Sequence, residues 1–125
     1  MEGPTAEPVI RITAMPADAN AYGDIFGGWL LSLMDMGAGL IAARHSRGRA
    51  VTVAMDAVQF HLPVKVGDEV SVYGSLVRTG RSSMVIATEA WRRPRHEEDE
   101  TKVTEAQFTF VAVDAEGHPR PANQE

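Results

Sequence analysis

From Ile25 to Ala43 the chain offers one ionisable side chain, Asp35, in a run of apolar and small residues. A run of that length is about what crosses a bilayer. Gly27, Gly28, Gly37 and Gly39 interrupt it, however, and an aspartate at mid-span costs about 2.5 to 3.5 kcal/mol to insert. The alternative is a helix apolar all round because protein surrounds it. In a chain of 125 residues, 44% hydrophobic and 23% charged, that means one domain, residues 1–125, with a sheet curled about the helix.

The flanking sequence supplies the strands. Val9 to Ile12 is a short candidate, closed by Met15-Pro16 and a polar loop through Gly23 that leaves Asp24 to cap the helix. Beyond it, the polar stretch Arg44 to Arg49 contains Gly48, a helix stop and turn. Val51, Val53 and Met55 then alternate on one face while Val58 and Phe60 fall on the other, so a bulge is expected near Asp56-Ala57. Val66-Gly67-Asp68 opens a strand from Glu69 to Arg78, and Thr79 to Ser82 turns it into a second, Ser83 to Arg93. After a charged loop, Pro94 to Lys102, the last strand runs from Val103 to Val113 with Ala106, Phe108, Phe110 and Ala112 in alternation. A polar tail follows from about Asp114. The order predicts an α+β domain with a mostly antiparallel sheet.

Charge and residue types narrow the chemistry. Seventeen acidic residues against 12 basic ones give a net charge of −5, which provides no field to hold nucleic acid or an anionic membrane. With no cysteine there are no disulfides, thiolate metal sites or thiol nucleophiles. Met1 to Pro8 lacks a basic region and an apolar run, so no signal peptide is visible and the cytoplasm is the default address. His45, His61, His96 and His118 show no ligand spacing, so no metal site is expected.

Asp35 is the most informative residue. Between Met34 and Met36 a carboxylate is costly unless paired, hydrogen-bonded or protonated; it is either a structural aspartate, capping a loop or facing a dimer seam, or a catalytic one. Gly27 and Gly28 lie at the first turn of the same helix, where backbone amides lack intrahelical partners and glycine admits close approach of an oxygen. Such a turn suits a carbonyl gaining negative charge, and paired glycines equally suit close helix-to-sheet packing. Asn20, in the loop before, either positions a reacting group or makes a turn. Gly27 and Asp35 stand eight residues apart, about 12 Å along a helix, whereas groups acting on one centre must come within about 3 to 3.5 Å of it. Two antiparallel copies across a two-fold axis would bring the N-terminus of one helix beside the Asp35 of the other.

The run Met15 to Asn20, then Gly23 to Trp29 and Met34-Asp35, resembles the YciA-like acyl-CoA thioesterases of the hotdog fold. The likeness continues in Val51 to Ala54, Pro63-Val64, Val66 to Asp68, Gly80 to Ser83, Thr104 to Ala106 and Phe110 to Asp114. It implies a five-stranded antiparallel sheet wrapped around one central helix, and homodimers with two helices side by side, often three dimers in a hexamer. It implies an acyl-CoA substrate and no cofactor beyond the coenzyme A that the substrate carries. By the same resemblance, Asp35 activates the water that attacks the thioester or attacks it directly, the amides around Gly27 and Gly28 hold the oxyanion, and Asn20 orients the reacting groups beside the opposite subunit's Asp35. The pantetheine arm is expected along Thr52-Val53, with Gly80, Arg81, Ser82 and Ser83 making polar contacts to the coenzyme. Arg81 is placed to meet a phosphate, and Arg44, Arg47 and Arg49 are a second basic group.

Three positions depart from the family pattern. Tyr22 replaces a small polar residue, His61-Leu62-Pro63 lacks a lysine before the proline, and the tail is short. The rival from another class is an acyl-CoA sensor that keeps the pocket without turnover. A hotdog dehydratase would want a histidine in the helix core, where none lies, and a purely structural dimerisation unit leaves an aspartate among methionines unexplained.

Overall fold

The computed structural model describes residues 6–123. In chain order it contains β1 (Ile10–Thr13), a 3-10 turn (Pro16–Asp18), α1 (Gly27–Ser46), β2 (Ala50–Phe60), β3 (Glu69–Thr79), β4 (Ser83–Arg93) and β5 (Thr101–Ala112). The five strands form one sheet in the order β1-β3-β4-β5-β2, every pair antiparallel. Alternation along the strands decides what meets the helix: Val70 and Val72 of β3, Met84, Ile86 and Ala90 of β4, and Ala106, Phe108 and Phe110 of β5 are buried. Against them α1 places Leu30, Leu33, Met34, Ala38 and Ala42. Gly37 lets the backbone come in close, since a Cβ there would stand 2.8 Å from Val9 and 3.2 Å from Val72.

The helix begins without help from Asp24. The N-cap is Phe26, which makes no side-chain cap. Asp24 is used otherwise: its backbone bridges to Lys65 and its carboxylate pairs with the Lys65 ammonium. At the far end Arg47, not Gly48, adopts the left-handed conformation (φ 56°). Gly48 is required for space, because a Cβ there would strike the Arg120 guanidinium. That guanidinium donates from Nη1 to the Ser46 carbonyl (2.9 Å), from Nη2 to the Arg49 carbonyl (3.1 Å) and from Nε to the Val113 carbonyl (2.9 Å). A cation thus satisfies carbonyls at the negative end of the helix.

Arg120 belongs to the segment expected to be a polar tail. Its described part folds back instead, bridging Val113 to Pro119, with Ala122 fully buried and its N–H donating to the Arg81 carbonyl at 2.8 Å. Composition misleads here because a few backbone hydrogen bonds and one cation dock a segment that carries little apolar surface.

Two bulges shape β2. Thr52 and Met55 are three residues apart, but their β5 partners Phe110 and Phe108 are two apart; Met55 and Phe60 are five apart, but Phe108 and Thr104 are four apart. Each extra residue restores the phase, so Thr52, Met55 and Phe60 all face the helix. The second bulge, with Ala57 at φ 53°, falls where the sequence placed it. The first went unforeseen, and it removes Val53 from the face shared with Met55.

The helix is not enclosed all round. Gly28, Ser32, Met36 and Leu40, spaced four apart, form an uncovered stripe in which Met36 and Leu40 are each 52% exposed. The five-stranded sheet curls over one side of the helix only. Among the described residues no helix is long and apolar enough to cross a membrane.

Candidate active site

Asp35 lies half-buried at mid-helix, beside the uncovered stripe rather than in the interior, with Met34 buried and Met36 exposed. Its Oδ1 accepts a hydrogen bond of 2.6 Å from Thr52 Oγ1. That contact exists because the first bulge points Thr52 at the helix. The pair opens on a cavity of about 400 Å³ lined also by Gly28, Leu31, Ser32, Met55 and Phe108. A carboxylate held by one short hydrogen bond and surrounded by apolar walls keeps an oxygen free for work in a space from which water is easily displaced.

Asn20 serves its own loop. Its Oδ1 accepts from the backbone N–H of Tyr22 (2.8 Å) and of Asp24 (3.1 Å), while its backbone N–H donates to the Asp24 carbonyl (2.7 Å). The side chain makes the turn, then, and its oxygen is occupied; what it offers a ligand is its NH2 group. Asn20 lies outside the Asp35 cavity, and Tyr22 beside it is 89% exposed.

Gly27 and Gly28 open α1 as expected and face different spaces. Gly28 shares the Asp35 cavity. Gly27 borders a second cavity of about 360 Å³ with Ile25, Leu30, Phe60, Leu62 and Val64. Its missing Cβ is filled by the Phe60 ring, whose atoms would stand 3.0 Å from one.

The coenzyme-binding candidates fall into two groups. Thr52 is engaged with Asp35, and Val53 sits exposed in the bulge. Gly80 to Ser83 form the β3–β4 turn, in which the Gly80 N–H donates to the Ser83 carbonyl (2.9 Å) and a Cβ on Gly80 would strike Ser83 Oγ. Because Ser83 pairs with Val111 and Val111 with Val51, this turn lies at the Thr52 end of the sheet, two strands away, or about 10 Å. Arg81 and Ser82 wall a cavity of about 130 Å³ with Pro119 and Arg120.

Residues 22–98 match the profile of the thioesterase superfamily. An uncharacterised acyl-CoA thioester hydrolase of Zymomonas mobilis is 54% identical over 93% of this chain and 78% of its own length. The acyl-CoA thioester hydrolase YciA of Escherichia coli is 47% identical over 94% of this chain and 91% of its own. The chain belongs to the thioesterase superfamily. Two solved structures superpose closely. A hexameric thioesterase from Yersinia pestis has a TM-score of 0.91 at 47% identity, covering 98% of this chain and 99% of that one. A hexameric hotdog-fold thioesterase of Campylobacter jejuni has a TM-score of 0.87 at 37% identity, covering 93% and 90%. The sheet wrapped on one helix is the hotdog fold.

Within this thioesterase-superfamily chain, then, the structure joins Asp35, Thr52 and Gly28 around one cavity and leaves Asn20, Gly27 and the Gly80 to Ser83 turn apart from it. Ser32 and Met55 were missed as lining residues. Ser32 was within reach of helical spacing, lying one turn before Asp35; Met55 needed the bulge. Three of the four histidines have side-chain partners: His45 with Asn123 (2.9 Å), His61 with Glu105 (2.8 Å) and His118 with Asp114 (3.9 Å). Among the described residues no three His, Asp or Glu side chains gather as metal ligands would.

Proposed function

We propose that this protein hydrolyses acyl-CoA thioesters to a carboxylic acid and coenzyme A, in composite sites formed where two copies of the chain meet. The observation that carries the reading is the Asp35 carboxylate, held by Thr52 in an apolar cavity beside the helix stripe that the chain's own sheet leaves uncovered. The names of the relatives, acyl-CoA thioester hydrolases, support the substrate.

Gly27 and Asp35 belong to one helix, about 12 Å apart along its axis, so one chain cannot bring both to one carbonyl. A second copy packed antiparallel on the Gly28, Ser32, Met36, Leu40 stripe covers that apolar surface and sets the partner's first turn near Asp35. Gly28 and Ser32 are small enough for close approach of the two helices. The long β2 edge, paired on one side only, is further surface that association removes from solvent. The hexamers formed by the two solved relatives support a trimer of such dimers.

In the site, the thioester carbonyl accepts hydrogen bonds from the amides at the first turn of one helix, which are aimed at the oxygen as it gains charge. Asp35 of the other subunit either takes a proton from the attacking water or attacks the carbonyl carbon itself, giving an anhydride that water then opens. In both routes the C–S bond breaks, one water is consumed, its oxygen entering the acid directly or, by way of the anhydride, the Asp35 carboxylate that gave its own oxygen to the acid, and the thiolate of coenzyme A leaves and is protonated. A thiolate leaves readily, so no metal is required. The NH2 group of Asn20 orients the reacting groups from the loop before the first turn. Pantetheine follows Thr52-Val53, and the Gly80 to Ser83 turn meets the coenzyme, with Arg81 near a phosphate.

The test is release of free thiol from acyl-CoA, followed with a thiol reagent. Turnover that Asp35→Ala abolishes while the oligomer persists supports the assignment. Binding without turnover by the unaltered protein would make it an acyl-CoA sensor instead.

A further inference from the structure

The first turn of α1 stands between two cavities. Gly28 opens on the space holding Asp35, and Gly27 opens on the second one, whose buried walls are Ile25, Leu30 and Val64. Phe60 closes the Gly27 side. It is the last residue of β2, its ring fills the place of the absent Gly27 Cβ, and yet it is 52% exposed, so it lies at the margin of the core rather than within it. Only the bulge at Ala57 turns it toward the helix; on a regular strand it would face the opposite way from Met55.

We infer that the Gly27 cavity receives the acyl tail of the substrate and that Phe60 is the residue that limits its length. This rests on the reading above, in which the first turn of α1 holds the thioester carbonyl. A carbonyl at that turn has the Asp35 carboxylate of the assembled site, and the water it activates, on one side. The alkyl chain leaves on the other, where the walls are Ile25, Leu30, Leu62, Pro63 and Val64, with His61 tied to Glu105, and the space is already present without rearrangement. The Phe60 ring stands across the junction of turn and cavity, so a chain must pass it or stop at it. Removing the ring lengthens the apolar channel, and each additional methylene that finds a wall raises kcat/KM by about 10-fold or more. A purely structural phenylalanine would instead change all chain lengths by a common factor.

The experiment is a kcat/KM series over straight-chain acyl-CoAs from butanoyl to dodecanoyl, for the unaltered protein, Phe60→Ala and Phe60→Leu. The expected result is a preference displaced toward longer chains, the dodecanoyl-to-butanoyl ratio rising at least 10-fold in Phe60→Ala and by less in Phe60→Leu. Phe60→Leu keeps an apolar group against Gly27 and so serves if the alanine variant fails to fold. Unchanged ratios in a folded variant that still turns over butanoyl-CoA would overturn the role of Phe60 alone. Absence of turnover by the unaltered protein at every chain length would overturn the underlying reading instead.

Discussion

Asp35 and Thr52 come from a helix and a strand that neighbour each other in sequence, and the 2.6 Å hydrogen bond between them fixes which way the carboxylate points. Hydrogen bonds to a charged group are worth about 1.5 to 3 kcal/mol. Thr52→Val is therefore expected to lower kcat by roughly 10- to 100-fold with little change in KM, and Thr52→Ser to restore most of it, measured by steady-state thiol release. Glu105 illustrates a residue whose effect is on stability. The His61 hydrogen bond first, then Lys102, holds its carboxyl below the ordinary 4.5. A depressed folded-state value means that the unfolded chain binds more protons in acid. The contribution is present above the ordinary value and lost as pH falls through the folded one. Glu105→Gln should therefore flatten the acid limb of a stability-against-pH curve below about pH 4.5, read by denaturant melts. The effect should shrink in high salt because the group is solvent-exposed.

At the scale of elements, β2 and the C-terminal segment do more than their composition suggests. Ala57 holds φ 53° to make the second bulge, a conformation that costs a residue with a Cβ about 1 to 2 kcal/mol. Ala57→Gly is expected to raise stability by up to about 1 kcal/mol, seen as a higher denaturation midpoint with an unchanged slope. Arg120 closes the C-terminus of α1 through the Ser46 and Arg49 carbonyls. Arg120→Ala should cost about 2 kcal/mol and lower the melting temperature by roughly 5 to 10 °C, and Arg120→Lys should recover only part because an ammonium cannot span three carbonyls as a planar fork does.

At the scale of the whole molecule, one chain leaves Met36 and Leu40 half-exposed on a helix that its own sheet covers on the other side. Met36→Glu is expected to place a charge in the proposed helix-to-helix seam and shift the protein toward monomer with loss of activity, measured together by sedimentation and thiol release. Mixing subunits tests the proposed shared site directly. Asn20→Ala and Asp35→Ala proteins, each nearly inactive, should regain roughly a quarter of full activity after random exchange, because half the dimers are mixed and each mixed dimer holds one intact site. No recovery, with exchange verified by mass, would show that both residues serve from the same chain.

The sequence by itself determined the elements and the chemistry-bearing types. The Ile25 to Ala43 run dictated one helix, alternation in Ala106 to Ala112 dictated a half-buried strand, and the broken phase at Asp56-Ala57 dictated a bulge, because each follows from a periodicity of local backbone geometry. Family resemblance added the wrapped sheet. What only the tertiary structure decided depends on non-local pairing. The order β1-β3-β4-β5-β2, the unforeseen bulge at Val53, the docking of the C-terminal segment and the loss of Asp24 as a cap all turn on which distant backbone groups find one another. So does the meeting of Thr52 with Asp35. A one-residue change of register reverses the face of every following side chain, and the partner strand that sets the register of β2 is β5, far along the chain.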